Sequence, residues 1–356
     1  MTEANHERIS PQQGQPLTAA GLTTAGFRQA PHPLPSGSPH RALNYEPPVW
    51  LRNGHLQSIW PALFRQVSLT TPETEIIATD DDDELHLDWY RQGSDRLAIL
   101  SHGLEGNSRR PYIRGLARAL LRDGWDVLAW NYRSCGGVMN HQPVFYHSGA
   151  TGDLSQVVRH GLEQGYRSLA LSGFSMGGNL SLLYLAEQGE AVDSRIAGAV
   201  TFSVPCDLAG GARVLARPSR RIYMKRFLRD LETKMTIKAG LFPELITVAG
   251  FGDIRSFKEF DDRYTAPLHG FRDAEDYWAR CSAVFRLRDI RVPALMVNAL
   301  DDPFLSEQCF PAKDLLGDHV TLETLRWGGH VGFVESASDG YYWSERRATA
   351  FFRQFY

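Results

Sequence analysis

Apolar and polar positions change rhythm near Arg96. Before it, stretches such as Glu84-Leu85-His86-Leu87-Asp88-Trp89 alternate with the period of half-buried antiparallel strands, which predicts an N-terminal β-meander behind a Pro- and Trp-containing segment at Pro47–Pro61. After it, short apolar runs at Leu97–Leu100, Trp125–Trp130, Ser168–Leu171, Ala197–Phe202, Val292–Val297 and Val320–Leu325 are separated by helical periodicity. That alternation predicts βαβ units, a mostly parallel sheet and helices on both faces. Pro111 suits a first helical position, Ile113, Leu116, Ala117, Leu120 and Leu121 recur at helical spacing, and Gly124 closes the segment. Asp153 is placed to cap the helix that follows it. Between Cys206 and Arg291 the strand rhythm stops for longer than a simple loop allows, and a cap inserted over the sheet is expected at about 206–290.

Composition narrows the class. With 356 residues, 43% of them hydrophobic, the chain can bury a large α/β core over residues 46–356. Residues 1–45 open with a Gln-, Gly-, Thr-, Ser- and Pro-rich stretch that reads as a disordered tail. A net charge of -3 offers no surplus to neutralise a phosphate backbone, so nucleic acid is excluded as the expected partner. Cys135, Cys206, Cys281 and Cys309 are too far apart for a zinc or disulfide pattern, and the histidines form no metal-ligand spacing. No cofactor and no metal are expected. A secretory signal and any run of about 18 apolar residues are missing, so a soluble cytoplasmic protein is anticipated. The acidic run Asp80–Glu84 lacks the spacing of a calcium loop and reads as a solvated hairpin.

The candidate chemistry sits where strands end. Leu169-Ala170-Leu171-Ser172-Gly173-Phe174-Ser175-Met176-Gly177-Gly178 is an apolar strand, a Gly-x-Ser-x-Gly turn and the start of a helix. A serine on such a tight turn is held in a strained conformation with its hydroxyl exposed above the sheet, and glycines two residues away avoid collision. Ser175 is therefore the candidate nucleophile. The run Leu97–Leu100 leads into His102-Gly103-Leu104-Glu105-Gly106, so the N–H of Leu104 joins that of Met176 as candidate oxyanion-hole donors. His102 is read as a structural residue fixing the loop, and Glu105 as a loop-surface charge.

An acid and then a histidine should follow the nucleophile. The strand before Asp301-Asp302-Pro303-Phe304 delivers two carboxylates past its end. Adjacent side chains point to opposite sides, and Pro303 biases Asp302 toward an extended backbone, so Asp302 is favoured with Asp301 as the alternative. His330, in Gly328-Gly329-His330, is the candidate general base.

Taken together these residues resemble the YheT-like branch of the α/β-hydrolases, related to the mammalian ABHD esterases and lipases. Besides the motifs above, the likeness rests on Asn53-Gly54-His55-Leu56-Gln57-Ser58, on Tyr146-His147-Ser148-Gly149 with Asp153-Leu154, and on Asp261-Asp262-Arg263-Tyr264-Thr265-Ala266-Pro267. Ser58 stands where a threonine is more usual, and Asn131 to Gly137 rearranges the family's small-residue turn. The resemblance implies the α/β-hydrolase fold and cofactor-free hydrolysis of carboxylic or acylglycerol esters. Acyl transfer through the same residues and non-catalytic lipid binding are the rival readings. A basic amphipathic stretch from Arg213 to Leu231 either touches a membrane surface or anionic substrate, or simply presents a solvated charged face.

Overall fold

The computed structural model describes residues 43–336 and 339–356; the expected tail lies almost wholly outside them. Tyr45, at the tail's expected end, instead belongs to the packed domain, its hydroxyl donating to Val334 O at 3.1 Å.

Eight strands form one sheet in the order β1-β2-β4-β3-β5-β6-β7-β8. They are β1 (Glu73–Ala78), β2 (Glu84–Tyr90), β3 (Arg96–Ser101), β4 (Asp126–Asn131), β5 (Ser168–Phe174), β6 (Ile196–Phe202), β7 (Ala294–Ala299) and β8 (Val320–Leu325). From β4 to β8 every pairing is parallel. The expected meander is only a hairpin: β2 pairs antiparallel with β1 and then with β4, skipping β3. The β7 boundary also moves, because Pro293 lacks an N–H for the ladder and pairing starts at Ala294.

Side-chain alternation distributes the strands between two cores. Leu97 and Ile99 face one buried cluster, which includes residues of α3 (Thr151–Glu163) and α4 (Met176–Gln188). Ala98 and Leu100 face the other, built with α2 (Pro111–Arg122) and the C-terminal helix Trp343–Phe352. The sheet is thus buried on both faces, as parallel sheets require. Pro111 does start α2, and Gly124 follows it with φ +83°.

Asp153 does not cap α3. The helix begins at Thr151 after Ala150, and Asp153 lies in its first turn with its carboxylate on the guanidinium of Arg133. That same guanidinium holds Asp81, half exposed, and Asp83, fully buried, so two of the five acidic residues belong to an ion cluster and the run is not simply a solvated hairpin. Among the described residues, no strand lies between β6 and β7; the segment contains α5 (Leu208–Leu215), the 21-residue α6 (Arg221–Leu241) and shorter helices.

Candidate functional site

The turn after β5 carries the strain its sequence implies. Ser175 has φ 54° and ψ −122°, a conformation that L side chains rarely adopt. A Cβ on Gly173 would lie 2.1 Å from Gly177 O, and one on Gly177 would lie 2.4 Å from Ser101 O. Both contacts are sterically impossible, so glycine is required at each position. The backbone is tied down by Ser175 N–H donating to Phe202 O at 2.8 Å.

β7 and β8 deliver the other two residues. Pairing of Ala299 with Leu325 brings the loop after β7 alongside the loop after β8. His330 Nε2 lies 2.8 Å from Ser175 Oγ, while its Nδ1 lies 2.9 Å and 3.1 Å from the two oxygens of Asp302. Asp302 is fully enclosed as a side chain, and Phe304 N–H donates to its Oδ1 at 2.9 Å. Asp301 faces elsewhere: its Oδ1 accepts from Gly329 N–H at 2.9 Å, and burial pushes its carboxyl up to about 6. The structure therefore brings Ser175, His330 and Asp302 together and makes Asp301 a brace for the histidine loop.

That loop is held by hydroxyls not anticipated as site residues. His330 N–H donates to Ser58 Oγ at 2.7 Å, and Val331 N–H donates to Ser203 Oγ at 2.8 Å. Ser58 was visible in the sequence only as part of a resemblance; its hydroxyl makes a contact that a threonine would also make. Gly329, with φ +55°, sits so close to the preceding elements that a Cβ there would lie 2.4 Å from Gly54 O.

The loop after β3 reaches the nucleophile from the opposite side. A Cβ on Gly103 would lie 3.2 Å from Ser175 Cβ, so Leu104 follows directly beside the serine, and Met176 opens α4. The first-turn amides of a helix have no helical acceptor and point along its positive end. His102 is buried, with Nδ1 2.8 Å from Gly103 O, Tyr132 N–H donating to Nε2, and burial driving its pKa down to about 3. It braces the loop as a neutral ring. Gly103 N–H also donates to Tyr112 Oη at 3.1 Å.

Glu105 is more than a surface charge. It has φ 52°, and its Oε1 receives Lys234 Nζ at 2.7 Å and Tyr146 Oη at 2.5 Å, tying the loop after β3 to α6. Lys238, one turn further along α6, is buried as well, bonded to Asn140 Oδ1 at 2.8 Å and held down to about 8 by desolvation. Both lysines lie beyond the basic stretch Arg213–Leu231 singled out in the sequence, and both point inward.

Two cavities meet at Ser175, Leu104, Phe227, Phe304 and His330. One, with about 830 Å³ of empty space, is walled by apolar residues such as Phe145, Leu208, Leu215 and Leu231, with Asp261 among them. Burial raises the Asp261 carboxyl to about 7, although Thr265 Oγ1 and Trp278 Nε1 donate to it. The other runs between Ile59 and Leu63 on one side and Arg226 on the other.

Comparison with known proteins agrees with this architecture. A family profile described as the alpha/beta hydrolase fold matches residues 99–337. The chain is 35% identical to the putative esterase YheT of Escherichia coli (strain K12), over 79% of this chain and 84% of that one. It is 30% identical to phospholipase ABHD3 of Mus musculus, over 82% of this chain and 73% of that one. The Pyrococcus furiosus esterase Pf2001 superposes with a TM-score of 0.53 at 18% identity, covering 82% of this chain and 98% of that one, which shows a shared fold. The chain belongs to the α/β-hydrolase family, within its YheT- and ABHD-type branch.

Proposed function

We propose that the protein is a serine hydrolase of carboxylic esters, working through an acyl-enzyme on Ser175. The observation that carries this reading is the unbroken hydrogen-bond line from Ser175 Oγ through the His330 ring to Asp302. His330 Nε2 takes the hydroxyl proton as Oγ attacks the ester carbonyl, and Nδ1–H stays on Asp302, which fixes the tautomer and stabilises the imidazolium. The carbonyl oxygen gains negative charge beside the N–H groups of Leu104 and Met176. His330 then protonates the departing alkoxide, and water repeats the sequence to release the acid.

The apolar cavity suits the acyl chain, and the cavity beside Arg226 suits the alcohol portion. Residues of about 206–290 serve as the cap, since α5, α6 and the short helices beyond them supply most of the acyl wall. The names of the relatives, an esterase and a phospholipase, support ester or acylglycerol substrates. Four buried free cysteines suit a reducing cytoplasm. Among the described residues, no helix is long and apolar enough to cross a membrane.

The test is turnover of p-nitrophenyl acetate and butyrate by wild type and Ser175→Ala. The variant is expected to lose activity by at least about 10³-fold; equal rates would refute the assignment.

A further inference from the structure

The helix α1 (Gly54–Phe64) is amphipathic in the inverted sense. Its inward positions are Gly54, Gln57 and Pro61. Gln57 is a fully buried amide whose Nε2 donates to Tyr45 Oη and whose Oε1 accepts from Val334 N–H. Leu56, Ile59, Trp60 and Leu63 fall at i, i+3, i+4 and i+7, the spacing of one helical stripe, and that stripe faces solvent with exposures of 39% to 66%. Phe64 extends it at 59%, and Trp50, 55% exposed, packs on Trp60 with ring centroids 4.8 Å apart. A contiguous patch of large apolar side chains on a folded surface marks an interaction site.

Basic charge borders this patch. Tyr223 Oη lies 2.9 Å from His55 Nδ1, which fastens the start of α6 to the start of α1. There Arg221, Lys225 and Arg226 are exposed and, among the described residues, have no acidic partner within ion-pair distance, while Ile222 between them is 83% exposed. Ile59, Leu63 and Arg226 also line the cavity that ends at Ser175. Tryptophan and leucine on one face with arginine and lysine alongside is the composition of a helix lying in a membrane interface.

We propose that α1 and the first turns of α6 form a docking surface for an anionic phospholipid bilayer, with α1 seated in the headgroup layer and the cavity beneath it opening toward the lipid. Apolar burial and charge attraction act on the same face, which favours a bilayer over a neutral protein partner. The surface deepens the esterase reading by supplying a route for membrane-resident esters. Only the use made of the bound lipid rests on that reading.

The experiment is cosedimentation of the full chain, carrying Ser175→Ala to prevent turnover, with phosphatidylglycerol/phosphatidylcholine vesicles and with phosphatidylcholine vesicles alone. Binding is expected to the anionic vesicles, weaker to the neutral ones, and reduced by salt. Trp60→Glu with Phe64→Glu is expected to lower partitioning by about tenfold or more, and Arg221→Glu with Lys225→Glu to remove the preference for anionic lipid. Neither pair lines either of the two cavities that meet at Ser175, so in the otherwise native chain both should hydrolyse dissolved p-nitrophenyl butyrate at the wild-type rate, which reports intact folding. Wild-type protein left in the supernatant, or equal binding by the aromatic variant, overturns the proposal. So does a dimer in sedimentation equilibrium that this variant dissociates, because the patch then belongs to a second copy. Since binding is scored without turnover, an active esterase can fail this test, and an inactive protein can pass it.

Discussion

Asp302→Asn and Asp301→Asn are adjacent, isosteric changes that the geometry separates sharply. Both oxygens of Asp302 lie within 3.1 Å of His330 Nδ1, so an asparagine places an amide nitrogen against that atom in one of its two orientations. An amide donor there favours the tautomer with the proton on Nε2, which then points at Ser175 Oγ and cannot accept its proton. The expected loss in kcat is about 10⁴-fold, the scale seen when a triad acid becomes an amide, or about 5.4 kcal/mol of barrier. Asp301 makes no contact with the His330 ring and acts on its loop chiefly by accepting Gly329 N–H at 2.9 Å, a bond that an asparagine carbonyl can also accept. One altered hydrogen bond is worth about 1 kcal/mol, so kcat should stay within about tenfold of wild type. Steady-state kinetics of both variants on p-nitrophenyl butyrate, with circular dichroism to verify folding, measures the contrast. Equal losses, or a larger loss for Asp301→Asn, would refute the assignment of the acid.

Three further outcomes follow from the packing. Lys234→Met leaves the mostly enclosed Glu105 without its cation, so kcat should fall about 10- to 100-fold with little change in KM as Leu104 shifts; unfolding free energy should drop by about 2–3 kcal/mol, and a variant with wild-type kcat would show that α6 does not position this loop. Asp261 has its folded pKa raised to about 7 from 3.8, so its protonation adds stability as pH falls through that window. The stability difference between Asp261→Asn and wild type should therefore narrow by roughly 4 kcal/mol from pH about 8 to about 4, and parallel curves of Tm against pH would contradict it. Gly177→Ala forces a methyl into Ser101 O and should cost about 3 kcal/mol or more in chemical denaturation together with most activity; a fully stable, active variant would mean that the turn relaxes easily.

What the sequence disclosed was local. The Gly-x-Ser-x-Gly turn could be read because its strain and its glycines are fixed within five residues, and the parallel strands because each is a short apolar run buried on both faces. What depended on distant partners was misread. The expected meander required knowing that β2 pairs with β4, and Asp81, Asp83 and Asp153 took solvent or cap roles because Arg133 meets them only in three dimensions. Glu105 was assigned to the surface for the same reason, since Lys234 lies 129 positions away. α1 was passed over because Pro61 lies inside it, although Leu56, Ile59, Trp60 and Leu63 carry helical spacing; that this stripe faces outward instead of into the core depends on the fold and is not written in the spacing.

The central claim is that Ser175 is a nucleophile activated by His330. Intact-mass analysis after exposure to a fluorophosphonate tests it without choosing a substrate. The account predicts one phosphonyl adduct, mapped to Ser175, with labelling abolished in Ser175→Ala and strongly slowed in His330→Ala. Folded wild-type protein that takes up no label, or takes it up elsewhere, would contradict it.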